Sequence, residues 1–220
     1  MSRLRTGGIS ILDGCPAGFR SKITLFLSDW CENFFFMSKG RLSLLVGVAM
    51  VLALRIQAGE FPDSWTYDDK PAERAVHAAL EGKPLRALDV TGWVNGPVVA
   101  ADLKGKVVVI DFYATWCGPC MAAIPHNNEL VEKYKDKGLV LFGVCTSSDG
   151  QEKMADVVKA KGIKYPTARD PKLISEHTWE VHYYPTYAVI DRKGIVRVVG
   201  LSPDNLETVL KKLLAEPPPS

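Results

Sequence analysis

The sequence predicts an α/β fold in which a central mixed sheet is flanked by helices, and three observations carry that expectation. Val107-Val108-Val109-Ile110-Asp111-Phe112-Tyr113 is apolar on nearly every residue, the pattern of a strand covered on both faces. It runs directly into a helical stretch, and apolar runs then alternate with amphipathic ones. The last of these, Asp204 to Ala215, repeats Leu206, Val209, Leu210, Leu213 and Leu214 at helical spacing. With 220 residues, 47% hydrophobic and 24% charged, the chain has enough for one domain with a substantial core and an additional segment. A formal charge of +2, without a stripe of Lys and Arg, gives nucleic acid no footing.

The additional segment is the start of the chain. Lys39 and Arg41 precede roughly 13 mostly apolar residues, Leu42 to Leu54, and Ala58 then offers a small residue before Gly59, the layout of a secretory signal. The run is shorter than the about 20 residues that a spanning helix needs. Met37 stands just before the charged start and reads as the initiator. Residues 1–36 are then an upstream extension and 37–58 a signal peptide, with Cys15 and Cys31 outside the mature protein. The competing reading is an uncleaved membrane anchor, since Ile56 is not the small residue favoured two positions before Ala58.

Residues 59–82 form a connector, aromatic and acidic from Phe61 to Asp69. A short helix follows from Pro71 to Glu81, with Gly82 as its stop and Val76, Ala79 and Leu80 as its docking face. His77 reads as a surface or packing residue, having no partner at i+3 or i+4. The domain proper is expected over 83–216, with 217–220 a Pro-rich tail. It opens with a hairpin: Leu85 to Val90 and Val98 to Ala101 flank Thr91-Gly92-Trp93-Val94-Asn95-Gly96-Pro97, and Asp102 to Lys106 turns into the central strand. A helix runs to Lys137, bent where Pro125 removes a donor, with Ala122, Ile124, Leu130, Val131 and Tyr134 toward the sheet. The next strand, Leu139 to Cys145, ends in a cysteine that reads as a small buried hydrophobe. An inserted unit comes next: a helix from Gln151 to Lys161, a strand near Tyr165 to Ala168, and a helix from Pro171 to about Glu180. Tyr187 to Asp191, the turn Arg192-Lys193-Gly194 and Ile195 to Val199 make the last strand pair.

The chemistry sits where the central strand meets its helix, at Trp116-Cys117-Gly118-Pro119-Cys120. Cysteines three apart in a first helical turn lie roughly 5–6 Å from one another, within disulfide reach. Cys117, at the helix start, faces the unpaired N–H groups and the positive dipole end, which favour thiolate and make it the attacking sulfur; Cys120 is its resolving partner. Gly118 admits another chain close to the sulfur, and Pro119 needs no N–H in the first turn. A structural zinc site would want a second Cys/His pair, and His77, His126, His177 and His182 show no such spacing, so no metal is expected. A static structural disulfide is the other competing reading. Asp111 breaks the apolar strand; buried, it would have a raised pKa and exchange a proton with Cys120, whereas at a sheet edge it would simply be solvated.

Asp111 to Cys120, with the C-G-P-C filling, resembles the active-site strand and turn of thioredoxin. Pro125 matches the proline that bends the active-site helix there, and Tyr184-Pro185-Thr186 resembles the cis-proline loop facing the cysteines. The longer layout is similar to the extracytoplasmic TlpA-like branch of that family, over about residues 83 to 216. The resemblance implies a thioredoxin fold, the proton-shuttling role for Asp111, and a Tyr184 backbone that bonds an incoming extended peptide. Trp116, Tyr183 and Tyr184 are candidates for an apolar platform around the sulfurs. One departure matters: cytochrome-maturation reductases of the branch carry a glutamate three residues after the second cysteine, where this chain has Ala123.

The resulting expectation is an extracytoplasmic thiol–disulfide oxidoreductase that reduces protein disulfides without a cofactor and draws electrons from a membrane donor of the DsbD type. A protein disulfide oxidase or isomerase would use the same residues at another potential. A non-enzymatic binding module on the same scaffold is the third reading. A thiol peroxidase is disfavoured, because its P-x-x-x-T-x-x-C pattern needs proline in place of Ile110 and threonine in place of Ala114.

Overall fold

The computed structural model describes residues 60–219. The predicted extension over 1–36 and signal over 37–58, with Cys15 and Cys31, lie outside the described residues. Among the described residues no helix is long and apolar enough to cross a membrane.

Six strands form one sheet: β1 Thr91–Val94, β2 Val107–Tyr113, β3 Leu139–Cys145, β4 Thr167–Arg169, β5 Thr186–Ile190 and β6 Val196–Leu201, in the spatial order β1-β4-β3-β2-β5-β6. The sheet is mixed. β2 runs parallel to β3 and antiparallel to β5, β3 parallel to β4, and the outer pairs β1·β4 and β5·β6 are antiparallel. The helices are α1 Pro71–Ala78, α2 Ala100–Leu103, α3 Gly118–Tyr134, α4 Met154–Lys161, α5 Ile174–Thr178 and α6 Pro203–Ala215.

β2 is buried along its whole length, as its apolar run requires. Successive residues of a strand face opposite sides. Val107, Val109 and Tyr113 therefore join a core built with Cys117, Cys120 and Ile124 at α3 and the leucines of α6. Val108, Ile110 and Phe112 face a second core around Trp179 and Leu80. Asp111, odd-numbered, lies on the α3 side.

The expected leading hairpin is replaced by a different pairing. Thr91 to Val94, placed in its connection, is itself strand β1, and its partner is β4 of the inserted unit. The turn residues were legible, since Asn95 and Gly96 both take positive φ, but they lead into helix α2. Leu85 to Val90 and Val98 do not pair with each other; the Leu85 N–H donates to Gly194 O at 2.8 Å, and Leu85, Leu88, Val90 and Val98 pack over the second core, so their apolar character covers a sheet face.

The connector is also held differently from the expectation. Phe61 is buried in the first core, Tyr67 N–H donates to Gly200 O at 2.9 Å, and Ser202 N–H donates to Trp65 O at 2.8 Å, so the chain runs along β6. Of the three residues predicted to dock, Leu80 is buried as expected, whereas Val76 and Ala79 are exposed; His77 is buried as well. Both His77 ring nitrogens face acceptors, Nδ1 at 2.8 Å from Asp68 Oδ1 and Nε2 at 2.8 Å from Glu180 O, an arrangement that suits the doubly protonated ring. Burial opposes charge on His77, but the Asp68 and Glu180 bonds raise its pKa on balance. Burial likewise pushes Asp68 up, and is outweighed by bonds from His77 and Tyr183 and the charges of His77 and Arg74, which bring it below the ordinary value. Pairing of charges, not an apolar stripe, attaches this helix.

Gly200 completes that contact. Its φ is +80°, and a Cβ there would stand 2.6 Å from the Tyr183 hydroxyl and 2.8 Å from His77 Nδ1. We expect Gly200→Ala to destabilise the protein by about 1–3 kcal/mol, read as a lower urea midpoint at unchanged m-value.

Candidate active site

β2 ends at Tyr113, and the loop Ala114 to Trp116 delivers Cys117 to the N-cap of α3. Cys117 and Cys120 are joined in a disulfide with their Cα atoms 5.3 Å apart, inside the predicted span. The Cys120 N–H donates to Cys117 Sγ at 3.1 Å. That helix-end donor, which has no partner within the helix, favours negative charge on Cys117 once the bond is reduced. Both sulfur-bearing residues are buried, while Gly118 and Pro119 between them are exposed, and nothing lies within 4 Å of where a Gly118 Cβ would stand. An approaching chain meets no side chain there.

The predicted surroundings assemble in part. Trp116 is 62% exposed, its indole N–H donates to Ser147 Oγ at 3.1 Å, and its ring meets Tyr184 edge-on at 5.8 Å. The bond between Tyr184 and Pro185 is cis, and Pro185 is buried. The Tyr184 hydroxyl donates to Glu176 Oε2 at 2.5 Å, tying this wall to helix α5 of the inserted unit. Tyr183 does not join the platform: its hydroxyl donates to Asp68 Oδ1 at 2.6 Å. On the α3 side a cavity of about 490 Å³ opens beside Pro119, between Ala122, Ala123, His126, Tyr67 and Asp204.

Asp111 is 2% exposed, so it is not solvated at a sheet edge. Burial drives its carboxyl up to about 7, against hydrogen bonds from Tyr165 and Asn127 that lower it. Neither donor was singled out from sequence. Asn127 had a signal: a polar residue seven positions after Cys120, on the helix face that buries Ala123, Ile124 and Leu130. Of the predicted face, Ile124, Leu130 and Tyr134 are buried and Val131 packs against the core, whereas Ala122 points outward and Ala123 takes the buried position. Cys145 is fully buried, and burial raises its thiol to about 12, far from the range of a reactive sulfur.

The model of the family described as Redoxin matches residues 87–214, more than half of the chain. The chain belongs to the Redoxin family. Among its relatives, the thiol-disulfide oxidoreductase ResA of Bacillus anthracis is 31% identical over 185 residues, covering 80% of this chain and 99% of ResA. Protein DipZ of Mycobacterium tuberculosis is 36% identical over 141 residues, which are 59% of this chain but 20% of DipZ, so this Redoxin chain spans about a fifth of that relative. A solved structure described as a thiol:disulfide interchange protein DsbE, from Chlorobium tepidum, superposes with a TM-score of 0.56 at 27% identity, covering 61% of this chain and 98% of its own. The Redoxin chain thus has a thioredoxin-like fold of the TlpA-like kind, and it carries the dithiol of a thiol–disulfide oxidoreductase.

The buried acid has a consequence for stability. An unfolded carboxyl ionises near about 3.9, so between about 4 and about 7 the native protein holds a proton that the unfolded chain has released, and stability falls as pH rises through that window. In the oxidised protein, Asp111→Asn is expected to stabilise by about 2–4 kcal/mol above neutrality, the gain shrinking toward pH of about 4; urea unfolding at both ends of the window checks it.

Proposed function

We propose that this chain reduces protein disulfides outside the cytoplasm through Cys117 and Cys120. The observation that carries the reading is a joined cysteine pair at a helix N-terminus, one sulfur accepting a helix-end N–H, with a buried acid on the same side of the sheet.

In the reduced protein the Cys117 thiolate attacks one sulfur of a client disulfide; a mixed disulfide forms and the other client sulfur leaves as thiolate. Asp111 takes the proton of the Cys120 thiol, and the Cys120 sulfur attacks Cys117, releasing the second client thiolate and closing the intramolecular disulfide. Two electrons pass to the client. A membrane dithiol donor of the DsbD type would reopen the bond, with Asp111 returning the proton to Cys120. The compartment is supported by the signal-like stretch over 37–58, and the same stretch left uncleaved would anchor the protein. The exposed gap over Gly118 and Pro119, with Trp116, Tyr184 and Pro185 alongside, is where an extended client segment would lie.

The name of the ResA relative supports the reaction class. Ala123 in place of a glutamate argues against a dedicated reductase of haem apocytochromes and for broader clients. An isomerase reading has one observation of its own: a solved thiol-disulfide isomerase from Corynebacterium glutamicum is similar, with a TM-score of 0.55 at 26% identity.

Cys117→Ser is expected to lower insulin reduction to the uncatalysed rate, while Cys120→Ala accumulates mixed disulfides with clients that gel mobility under non-reducing conditions detects. Activity surviving in Cys117→Ser would favour a binding scaffold. Equilibration with glutathione decides direction: a potential near about −270 mV fits the reductase, and one near about −120 mV fits an oxidase.

A further inference from the structure

Around Asp111 lies a polar cluster that the thiol chemistry described so far leaves unexplained. Asp111 Oδ2 accepts from Asn127 Nδ2 at 3.1 Å and from the Tyr165 hydroxyl at 3.3 Å. Asn127 Nδ2 also donates to the hydroxyls of Tyr187 at 2.8 Å and Tyr165 at 3.4 Å. All four residues are buried. They come from four places in the chain: β2, α3, β5 directly opposite Asp111 in the ladder, and the segment leading into β4.

Two features mark the arrangement as more than packing. Asn127 occupies the centre of an apolar helix face, between Ile124 and Leu130, and its own carbonyl oxygen has no partner among the described residues. A buried amide with an unmet oxygen is unfavourable, and a leucine would fill the position without that penalty. The other feature is the division of the carboxylate. Oδ2 takes both hydrogen bonds, and Oδ1, equally buried, takes none.

We propose that Asn127, together with Tyr165, is a positioning residue for the proton-handling acid: the two donors fasten Oδ2 of Asp111 and leave Oδ1 as the one oxygen free to take the Cys120 proton and give it back. The inference rests on Asp111 serving Cys120 and adds which groups hold it. No charge opposes the carboxylate. The donors are neutral, the residue paired with Asp111 on β3 is Gly143, and the other ionisable groups buried in the core it faces are Tyr187 opposite it on β5, Tyr113, Tyr134, the Cys145 thiol and the cysteine pair itself. Against burial, these two hydrogen bonds are what favour the ionised form. Without them the acid would stay protonated at neutral pH and could not accept the proton that frees the Cys120 sulfur.

The test uses the intact protein with labelled aspartate carboxyls, following the Asp111 titration by carbon NMR, and the pH dependence of insulin reduction. Asn127→Leu, of similar volume and without the amide, is expected to move the Asp111 titration up by about one pH unit, with about a tenfold loss of rate on the acid side of the profile. Tyr165→Phe, which loses one hydroxyl and keeps the ring, should shift both in the same direction and carries the test if Asn127→Leu does not fold. An Asp111 titration unmoved in both folded variants overturns the positioning role and leaves the thiol mechanism standing. A titration that moves while the rate profile of every variant, Asp111→Asn included, stays unchanged overturns proton transfer by Asp111, and the positioning role with it.

Discussion

Strand β2 is hydrogen-bonded along both edges and covered on both faces, so its residues have no freedom to choose their surroundings. Alternation sends Val108, Ile110 and Phe112 toward the second core, and Val107, Val109, Asp111 and Tyr113 toward the helix that begins at the cysteines. A carboxyl placed in that second set must sit inside the protein, beside the active-site helix. The strand's end then fixes where the loop Ala114 to Trp116 starts, and with it the entry of Cys117 onto the helix N-terminus. The sheet neighbours that build the cis-proline wall, β5 and the inserted unit, are referenced to the same strand. Moving β2 would move the acid, the sulfurs and the wall together.

Two buried aspartates in this molecule show how surroundings decide what a carboxylate does. Asp68 faces His77 and Arg74, whose positive charges together with the Tyr183 hydroxyl keep it ionised and below its ordinary pKa despite burial. It is a structural anchor for the connector. Asp111 meets only neutral donors, and burial prevails, leaving its ionisation near neutrality. A group that changes charge there is suited to exchanging protons during turnover, and a permanently paired one is suited to holding helix α1 on the sheet. Asp68 is the less deeply buried of the two, and it alone faces compensating charge.

The central strand, its cysteines and the closing helix were legible because each is specified within a single stretch: a β-branched run, a spacing of three, a helical repeat of leucines. What escaped depends on partners far along the chain. β1 is a strand because β4, in the inserted unit, completes it, and no local pattern over Thr91 to Val94 could distinguish a strand from a hairpin connection. His77 stands nine residues from Asp68 and 103 from Glu180, so neither neighbour was visible at helical spacing. Asn127 is the intermediate case. Its polarity on an apolar face was readable, but its meaning waited for Asp111, Tyr165 and Tyr187 to converge on it. The pair Tyr183-Tyr184 looked like one aromatic patch, and the fold sends the two rings to different tasks.

Cys145 is the third cysteine among the described residues, and it is not part of the disulfide. Cys145 ends the strand beside β2, opposite Tyr113, and belongs to the same hydrophobic core as Cys117 and Cys120. Burial raises its thiol to about 12, which disfavours the anion at neutral pH. Solvent cannot reach it either. Burial therefore makes Cys145 a packing residue of the core and leaves thiol chemistry to Cys117 and Cys120.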